Sequence, residues 1–175
     1  MSENVLCSSW RVQVSEPEAR DLPGRIRAQE EYIGHYLAPW LLDAAWVRKL
    51  TSLHFMRYLD PEHLQHIRGI AVVLRLLGDE QALAEADRSV RTELEEHASA
   101  GAIVRFESEP HGPWADSVIG EYGGPEVSEA WSKFLASSSW LCLWLLREPR
   151  HDFEARNLIL ANWSHCFGLV TRGIG

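Results

Sequence analysis

The clearest element in the sequence is an amphipathic helix over "GDEQALAEADRSVRTELEEHASAG", residues 78–101. Acidic residues stand at its start, and Gly101 is a typical helix end. Its apolar stripe consists of Leu83, Ala86, Val90 and Leu94. The segments on either side, 67–76 and 102–110, are rich in β-branched residues and predict strands, although a helix over 67–76 stays an alternative. A long helix between two strands favours a fold that mixes both kinds of element.

Other segments extend this mixed pattern along the chain. "WRVQV" (10–14) and "TSLHFMRYL" (51–59) alternate as strands do. Three further segments predict helices: 25–48 with a kink at Pro39, 124–147 with Pro125 in its first turn, and 151–172 at the end. Residues 107–127 are expected to be a long irregular stretch. Together these predict one α+β domain over 1–175, a mostly antiparallel sheet packed against several helices.

Composition narrows the partners that this chain can have. The formal net charge of −8 argues against a nucleic acid partner, because phosphate binding needs a basic surface. The longest apolar run is too short to cross a bilayer, and the first residues have no export pattern, so no membrane association is expected. Three widely spaced cysteines suit a reducing cytoplasm. The eight tryptophans are expected to fill the core, and a subset could line a pocket for an extended ligand.

Arg57 is the most informative charged residue in the predicted strands. Alternation in "LHFMRY" (53–58) places Arg57 on the same face as Leu53 and Phe55, opposite to His54, Met56 and Tyr58. An arginine on an apolar face must reach solvent or find an anion. It either forms a salt bridge to one of the 25 acidic residues or presents a guanidinium to a substrate carboxylate.

The histidines do not form a convincing metal site. His63 and His66 stand three residues apart with His54 nearby, but no third and fourth ligand follow at comparable spacing. Phosphate-binding loops and a serine nucleophile motif are also absent from the sequence. We therefore expect no metal site, and neither reaction considered below requires a cofactor.

Several motifs, taken in order, resemble one family. "WRVQV", "LHFMRYLDPEHLQHIR", "EYGGPEVSEAWSKFLASSS" and "ANWSHCFGLV" are similar to the opening strand, the Arg-Tyr signature, the Tyr-Gly-Gly segment and the C-terminal histidine helix of one kind of domain. This is the small elimination domain of lantibiotic dehydratases, also called thiopeptide-type bacteriocin biosynthesis proteins. The likeness spans most of the chain, and the two middle motifs are the more specific ones.

The resemblance implies an enzyme that acts on a ribosomally made precursor peptide. Related domains remove glutamate from glutamylated Ser or Thr to give dehydroamino acids, or join dehydrated residues by cycloaddition. Arg57 and His165 match catalytic positions of the family, and Arg68 is the candidate for a second arginine because Gln65 stands at its usual place. The residues expected to bind the substrate are Tyr58, His63, His66, Glu121 and Tyr122.

Three hypotheses follow for the function. The first is a stand-alone enzyme, a lyase or cyclase, that contacts the leader and core of the precursor peptide. The second is a non-catalytic relative that binds the precursor or partner enzymes of the same pathway as a scaffold, and Gln65 favours it. The third is a small-molecule cyclase on a similar fold.

Overall fold

The computed structural model of the chain describes residues 5–15, 22–59, 70–113 and 117–147. This part of the chain contains four strands and four α-helices. The strands are β1 (Leu6–Val14), β2 (Ser52–Leu59), β3 (Ile70–Gly78) and β4 (Ile103–Pro113). The helices are α1 (Leu22–Tyr32), α2 (Ala38–Asp43), α3 (Glu80–Ser99) and α4 (Ser117–Arg147). A π-helical turn, Ile33–Leu37, joins α1 to α2, and a 3-10 helix, Ala45–Lys49, follows α2.

The four strands form a single antiparallel sheet in the order β2-β3-β1-β4. The predicted α+β class is therefore confirmed, as are the strands over 10–14 and 51–59. Residues 70–78 form a strand, which decides between the two alternatives left open for 67–76. Neighbouring strands pair through long continuous registers, so a segment of ambiguous periodicity becomes a central strand once its partners are present.

Helix α3 covers one face of the sheet, as its apolar stripe predicts. Its first turn is capped by Asp79, whose side chain accepts a hydrogen bond from the Ala82 backbone N–H at 2.8 Å. After its end, Gly101 adopts a φ of 75°, which a glycine tolerates without steric cost. The stripe packs into the same core as the inward-facing residues of the sheet and of α1 and α2. Fully buried members of this core include Trp10, Ile33, Leu41, Leu74, Leu83 and Leu94.

Pro39 lies in the first turn of α2, directly after the π-helical turn. Proline has no backbone N–H and therefore cannot bond to the carbonyl of residue 35. Residue 35 belongs to the wider π-helical turn. Such turns commonly occur where a helix lacks one of its regular backbone hydrogen bonds. The predicted helix over 25–48 is accordingly a series of four short helical segments with Pro39 at one of their junctions.

The prediction for residues 107–127 was wrong. Strand β4 continues to Pro113 because it pairs with β1 as far as Leu6. Helix α4 begins at Ser117, so Pro125 lies inside the helix and not in its first turn. The glycines and proline of this segment have low helix propensity, and local preference therefore pointed to a loop. The predicted helix over 151–172 lies outside the described residues.

Tryptophans divide between the core and the surface. Trp10 and Trp46 are buried, as expected for core-filling aromatic residues. Trp144 is 59% exposed, so the expectation that the tryptophans fill the core fails for this residue. It stands between Leu143 and Leu145, both buried, on a helix that presents only part of its surface to the core. Within the described segments, no helix is both long enough and apolar enough to span a membrane.

Candidate functional site

Strand β2 places Arg57 on the face of the sheet that the sequence predicts. Arg57 stands opposite Val72 of β3, while Leu53 and Phe55 stand opposite Leu76 and Leu74. Residues directly opposite in an antiparallel pair point to the same side of the sheet. The aliphatic neighbours belong to the core, and Arg57 continues their row towards the end of the strand, where it is exposed.

The Arg57 guanidinium forms an ion pair with Glu30 of α1. Its Nη1 lies 3.1 Å from Oε1 of Glu30, and the two side chains are 39% and 26% exposed. The structure therefore contains the salt bridge that was one of the two sequence interpretations. Among the described residues, Glu30 supplies the only carboxylate within ion-pair distance of Arg57. A pair this accessible to water contributes little to stability, and one partner can be exchanged for another anion at low cost.

Helix α4 lies along the free edge of β2 beside this pair. Ser139 Oγ accepts a hydrogen bond from the Phe55 backbone N–H at 3.0 Å and lies 3.4 Å from the Phe55 carbonyl oxygen. Phe55 therefore presents polar backbone groups to the helix, away from its partner strand. Unpaired edge groups are a hazard for aggregation, and α4 covers them here. Ser139 belongs to the "SSSW" segment, residues 137–140.

Cys142 lies one turn after Ser139 and within electrostatic range of both Arg57 and Glu30. Burial raises the pKa of the Cys142 thiol to about 11, with the nearby Arg57 opposing this shift and Glu30 adding to it. The thiol is therefore protonated at neutral pH and is a poor nucleophile. The site offers a guanidinium and hydrogen-bond donors, which suits binding of an anion more than covalent catalysis by sulfur.

The other predicted site residues are described less fully or not at all. Tyr58 follows Arg57 in β2 and pairs with Ala71, and Glu121 and Tyr122 lie within α4. For these three the backbone alone is described. The remaining four lie outside the described residues: His63, His66, Arg68 and His165. Their assembly around Arg57 stays a prediction.

A second polar group lies on the opposite edge of the sheet and was not predicted. Asp87 of α3 accepts hydrogen bonds at Oδ1 from Ser8 Oγ (2.6 Å) and Trp10 Nε1 (2.7 Å), and at Oδ2 from His111 Nε2. The register of β1 and β4 is irregular between Cys7 and Ser9, next to His111. Such irregularities redirect side chains, and this one brings His111 towards α3. No sequence signal links residues that are so far apart along the chain.

His54 lies on the other face of β2 and is fully buried. Burial, with Arg75 on the neighbouring strand, lowers the pKa of His54 from 6.5 to about 4. The imidazole is therefore neutral at pH 7, which makes it a core residue and not a cationic partner of the site. Within the described segments, no cluster of three or more potential ligands could hold a metal ion.

The buried His54 predicts a loss of stability in acid. The unfolded chain binds a proton at His54 below pH 6.5, whereas the folded chain does so only near pH 4. The contribution of neutral His54 to the free energy of unfolding is therefore fully present above pH 6.5. It falls by up to about 3 kcal/mol as the pH drops towards 4. Denaturant unfolding across this range measures the effect. The His54→Gln variant should show a shallower pH dependence, and an identical dependence in both proteins would contradict this assignment.

The fold and the site together define an α+β domain with a partly exposed arginine, paired with Glu30, at one edge of its sheet. A family model described as the C-terminal part of lantibiotic biosynthesis dehydratases matches residues 24–172. The chain belongs to this family, as its resemblance in sequence implied. Its membership connects the chain with the biosynthesis of modified peptide antibiotics.

One solved structure with the same fold is the tRNA-dependent lantibiotic dehydratase MibB from Microbispora sp. 107891. The TM-score is 0.59 at 19% sequence identity, and the match covers 84% of the present chain. The chain spans 12% of the length of MibB. Comparison with curated proteins gave no match.

Proposed function

We propose that this chain is a single elimination-type domain over residues 1–175 that acts on a ribosomally made precursor peptide. The reaction is either elimination of glutamate from glutamylated Ser or Thr, or cyclisation of residues already dehydrated. Membership of the dehydratase C-terminal family supports the peptide as substrate. The observation that carries the proposal is Arg57, whose guanidinium is held at the sheet edge by an exposed ion pair.

In the elimination reaction, a base removes the α-proton of the esterified residue and negative charge develops on the neighbouring carbonyl oxygen. The Cα–Cβ double bond then forms as the Cβ–O bond breaks and glutamate leaves. Arg57 binds a carboxylate or the developing enolate oxygen, which its planar guanidinium can contact with two parallel N–H groups. His165 carries the proton, because an imidazole titrates near neutral pH. The reaction needs no cofactor.

The other predicted residues complete a peptide-binding surface around Arg57 in this proposal. Arg68 takes the place of the second family arginine, since Gln65 is uncharged. Substrate contacts come from Tyr58, His63, His66, Glu121 and Tyr122. The leader and core of the precursor both bind, and other enzymes of the pathway are further partners. We place the reaction in the cytoplasm, where the precursor is synthesised.

A second candidate function is a scaffold that binds the precursor without chemistry. Two observations favour it: Glu30 already occupies the Arg57 guanidinium, and Gln65 replaces an arginine. A scaffold needs only binding energy, which a preformed ion pair and a neutral glutamine do not prevent. A small-molecule cyclase on the same fold is a third candidate, and it predicts no affinity for any precursor peptide.

Mass spectrometry of a glutamylated precursor incubated with the purified chain tests the proposal. Elimination gives a product one water lighter than the unmodified peptide, because the former hydroxyl oxygen leaves with glutamate. A dehydrated precursor tests cyclisation in the same way, and a loss of water with release of the leader indicates cycloaddition. An unchanged spectrum beside measurable binding would favour the scaffold. Absence of both would contradict a peptide substrate.

A further inference from the structure

A groove of about 570 Å³, which Arg57 does not line, has no role in the proposed reaction. It opens between α3 and the segment formed by α2 and the following 3-10 helix. Residues from both sides line it, chiefly Trp40, Asp43, Trp46, Arg88, Thr92 and Glu93. Aromatic and charged side chains thus share one open surface depression.

Two tryptophans form the wall of the groove. The rings of Trp40 and Trp46 lie 5.6 Å apart between centroids at an angle of 50°. Trp46 is nearly buried and supports Trp40, which also contacts His97 edge-on at 6.4 Å. A ring held on two sides offers a fixed face to a ligand, and indole faces attract cations more strongly than other aromatic faces do.

A buried hydrogen bond between Tyr32 and His97 lies next to Glu93 at the groove. Tyr32 Oη lies 3.0 Å from Nδ1 of His97, and Nε2 of His97 lies 3.3 Å from Oε1 of Glu93. Burial lowers the pKa of His97, so its imidazole is neutral at pH 7. Burial raises the pKa of Tyr32, which keeps its hydroxyl protonated as a donor. The consistent arrangement is that Tyr32 donates to Nδ1 and His97 carries its proton on Nε2, the nitrogen nearer to Glu93.

The contact with His97 leaves the negative charge of Glu93 uncompensated. A neutral histidine 3.3 Å from the carboxylate brings no positive charge to it. Burial, and then the nearby Glu96, raises the pKa of the Glu93 carboxyl. No lysine or arginine forms an ion pair with Glu93 among the described residues. Arg88 stands five positions earlier in α3, about 7.5 Å along the helix axis, so the Glu93 end of the groove is the negative one.

We propose that this groove binds a basic side chain of the precursor peptide, with its ammonium or guanidinium group between the face of Trp40 and the carboxylate of Glu93. The aliphatic stem of a lysine or arginine would pack on the indole, and the charged head would satisfy the carboxylate. Naming the precursor as the source of this side chain rests on the proposed function. The net charge of −8 agrees with a basic partner.

Nuclear magnetic resonance of the tryptophan indole N–H signals tests this site with two matched probes. Nα-acetyl-lysine methylamide carries the charge, and Nα-acetyl-norleucine methylamide has the same stem without it. We expect the Trp40 signal, assigned from a Trp40→Phe variant, to shift with the lysine compound and at least fivefold less with the norleucine compound. The response should weaken in high salt, because the attraction is electrostatic.

Glu93→Gln and Glu95→Gln form a matched pair of variants on the same helix. The glutamine at position 93 keeps an acceptor for His97 and removes the charge, so lysine binding should fall about tenfold. Glu95 is exposed and does not line the groove, so the control should bind as the unmodified chain does. Equal responses to both probes, or unchanged binding in Glu93→Gln, would overturn the cation site.

The outcome of this test is separable from that of the proposed function. Arg57→Lys should leave the lysine response intact, because Arg57 does not line the groove. If the site is correct, replacing lysine and arginine of the precursor by norleucine should weaken its binding to the unmodified chain. The same replacement should leave binding to Glu93→Gln unchanged. A lysine response without any precursor affinity would overturn both the peptide as partner and the proposed function.

Discussion

Arg57→Ala is expected to lower the rate of precursor modification at least about 100-fold, because it removes the preorganised positive charge from the developing enolate oxygen. The ion pair with Glu30 is partly exposed, so the free energy of unfolding should change by less than about 1 kcal/mol. Single-turnover kinetics on a glutamylated or dehydrated precursor measures the rate, and denaturant unfolding measures stability. A large loss of rate with little loss of stability would support a catalytic role.

Two variants serve as controls for the Arg57 prediction. Arg57→Lys keeps the charge but loses the planar donor pair, so an intermediate rate is expected. Arg11→Ala breaks a similar exposed ion pair with Glu109, at 2.8 Å, on the opposite face of the sheet. Its rate should be unaffected. Full turnover by Arg57→Ala, or equal losses in Arg57→Ala and Arg11→Ala, would contradict the role of Arg57.

Asp87→Ala is expected to reduce the free energy of unfolding by about 3 kcal/mol. The carboxylate accepts hydrogen bonds from Ser8, Trp10 and His111, and the first two residues are buried. Its removal leaves two buried donors without their acceptor, each costing about 1–3 kcal/mol. Access of water to Ser8 and Trp10 in the variant would reduce the sum, since Asp87 itself is partly exposed. Urea unfolding with the chain at fixed pH measures the change.

The Asp87 prediction has a conservative variant and a matched control. Asp87→Asn keeps an acceptor for Ser8 and Trp10, so its cost should be about 1 kcal/mol. Asp43→Ala removes an aspartate whose side chain is 73% exposed and whose ion pair with Arg147 is long, at 3.8 Å. Its effect should stay within about 0.5 kcal/mol. If Asp87→Ala is no more destabilising than Asp43→Ala, the hydrogen-bond cluster does not support the fold.

Local patterns were sufficient for those elements whose periodicity is strong. The alternation in 53–58 gave the correct faces for Leu53, Phe55 and Arg57, because side chains in a strand alternate whatever the partner strand is. The apolar stripe of α3 and the end of this helix near Gly101 were predicted equally well. Local preference failed in 117–127, where glycines and Pro125 suggested a loop and the residues belong to α4. Tertiary packing can override weak propensities of this kind.

The contacts of the candidate site could not be predicted from the sequence. Arg57 could have paired with any of the 25 acidic residues, and only the position of α1 in the folded chain brings Glu30 to it. The same holds for Ser139 at the edge of β2 and for Asp87, which joins residues 77 and 79 positions away. Such pairings depend on the relative positions of whole elements, which hydrophobic periodicity does not encode.

The central claim is that Arg57 binds a substrate carboxylate or oxyanion in the place where Glu30 now pairs with it. The most direct test is the affinity of a glutamylated precursor for Glu30→Gln, measured by calorimetry against the non-glutamylated peptide. Glu31→Gln is the matched control, because Glu31 is an exposed neighbour on the same helix and carries the same charge. We predict that Glu30→Gln binds the glutamylated peptide about threefold more tightly, a gain that Arg57→Ala abolishes. The claim would be contradicted if Glu30→Gln bound the glutamylated peptide more weakly, by as much as Arg57→Ala does. The ion pair would then be a structural contact.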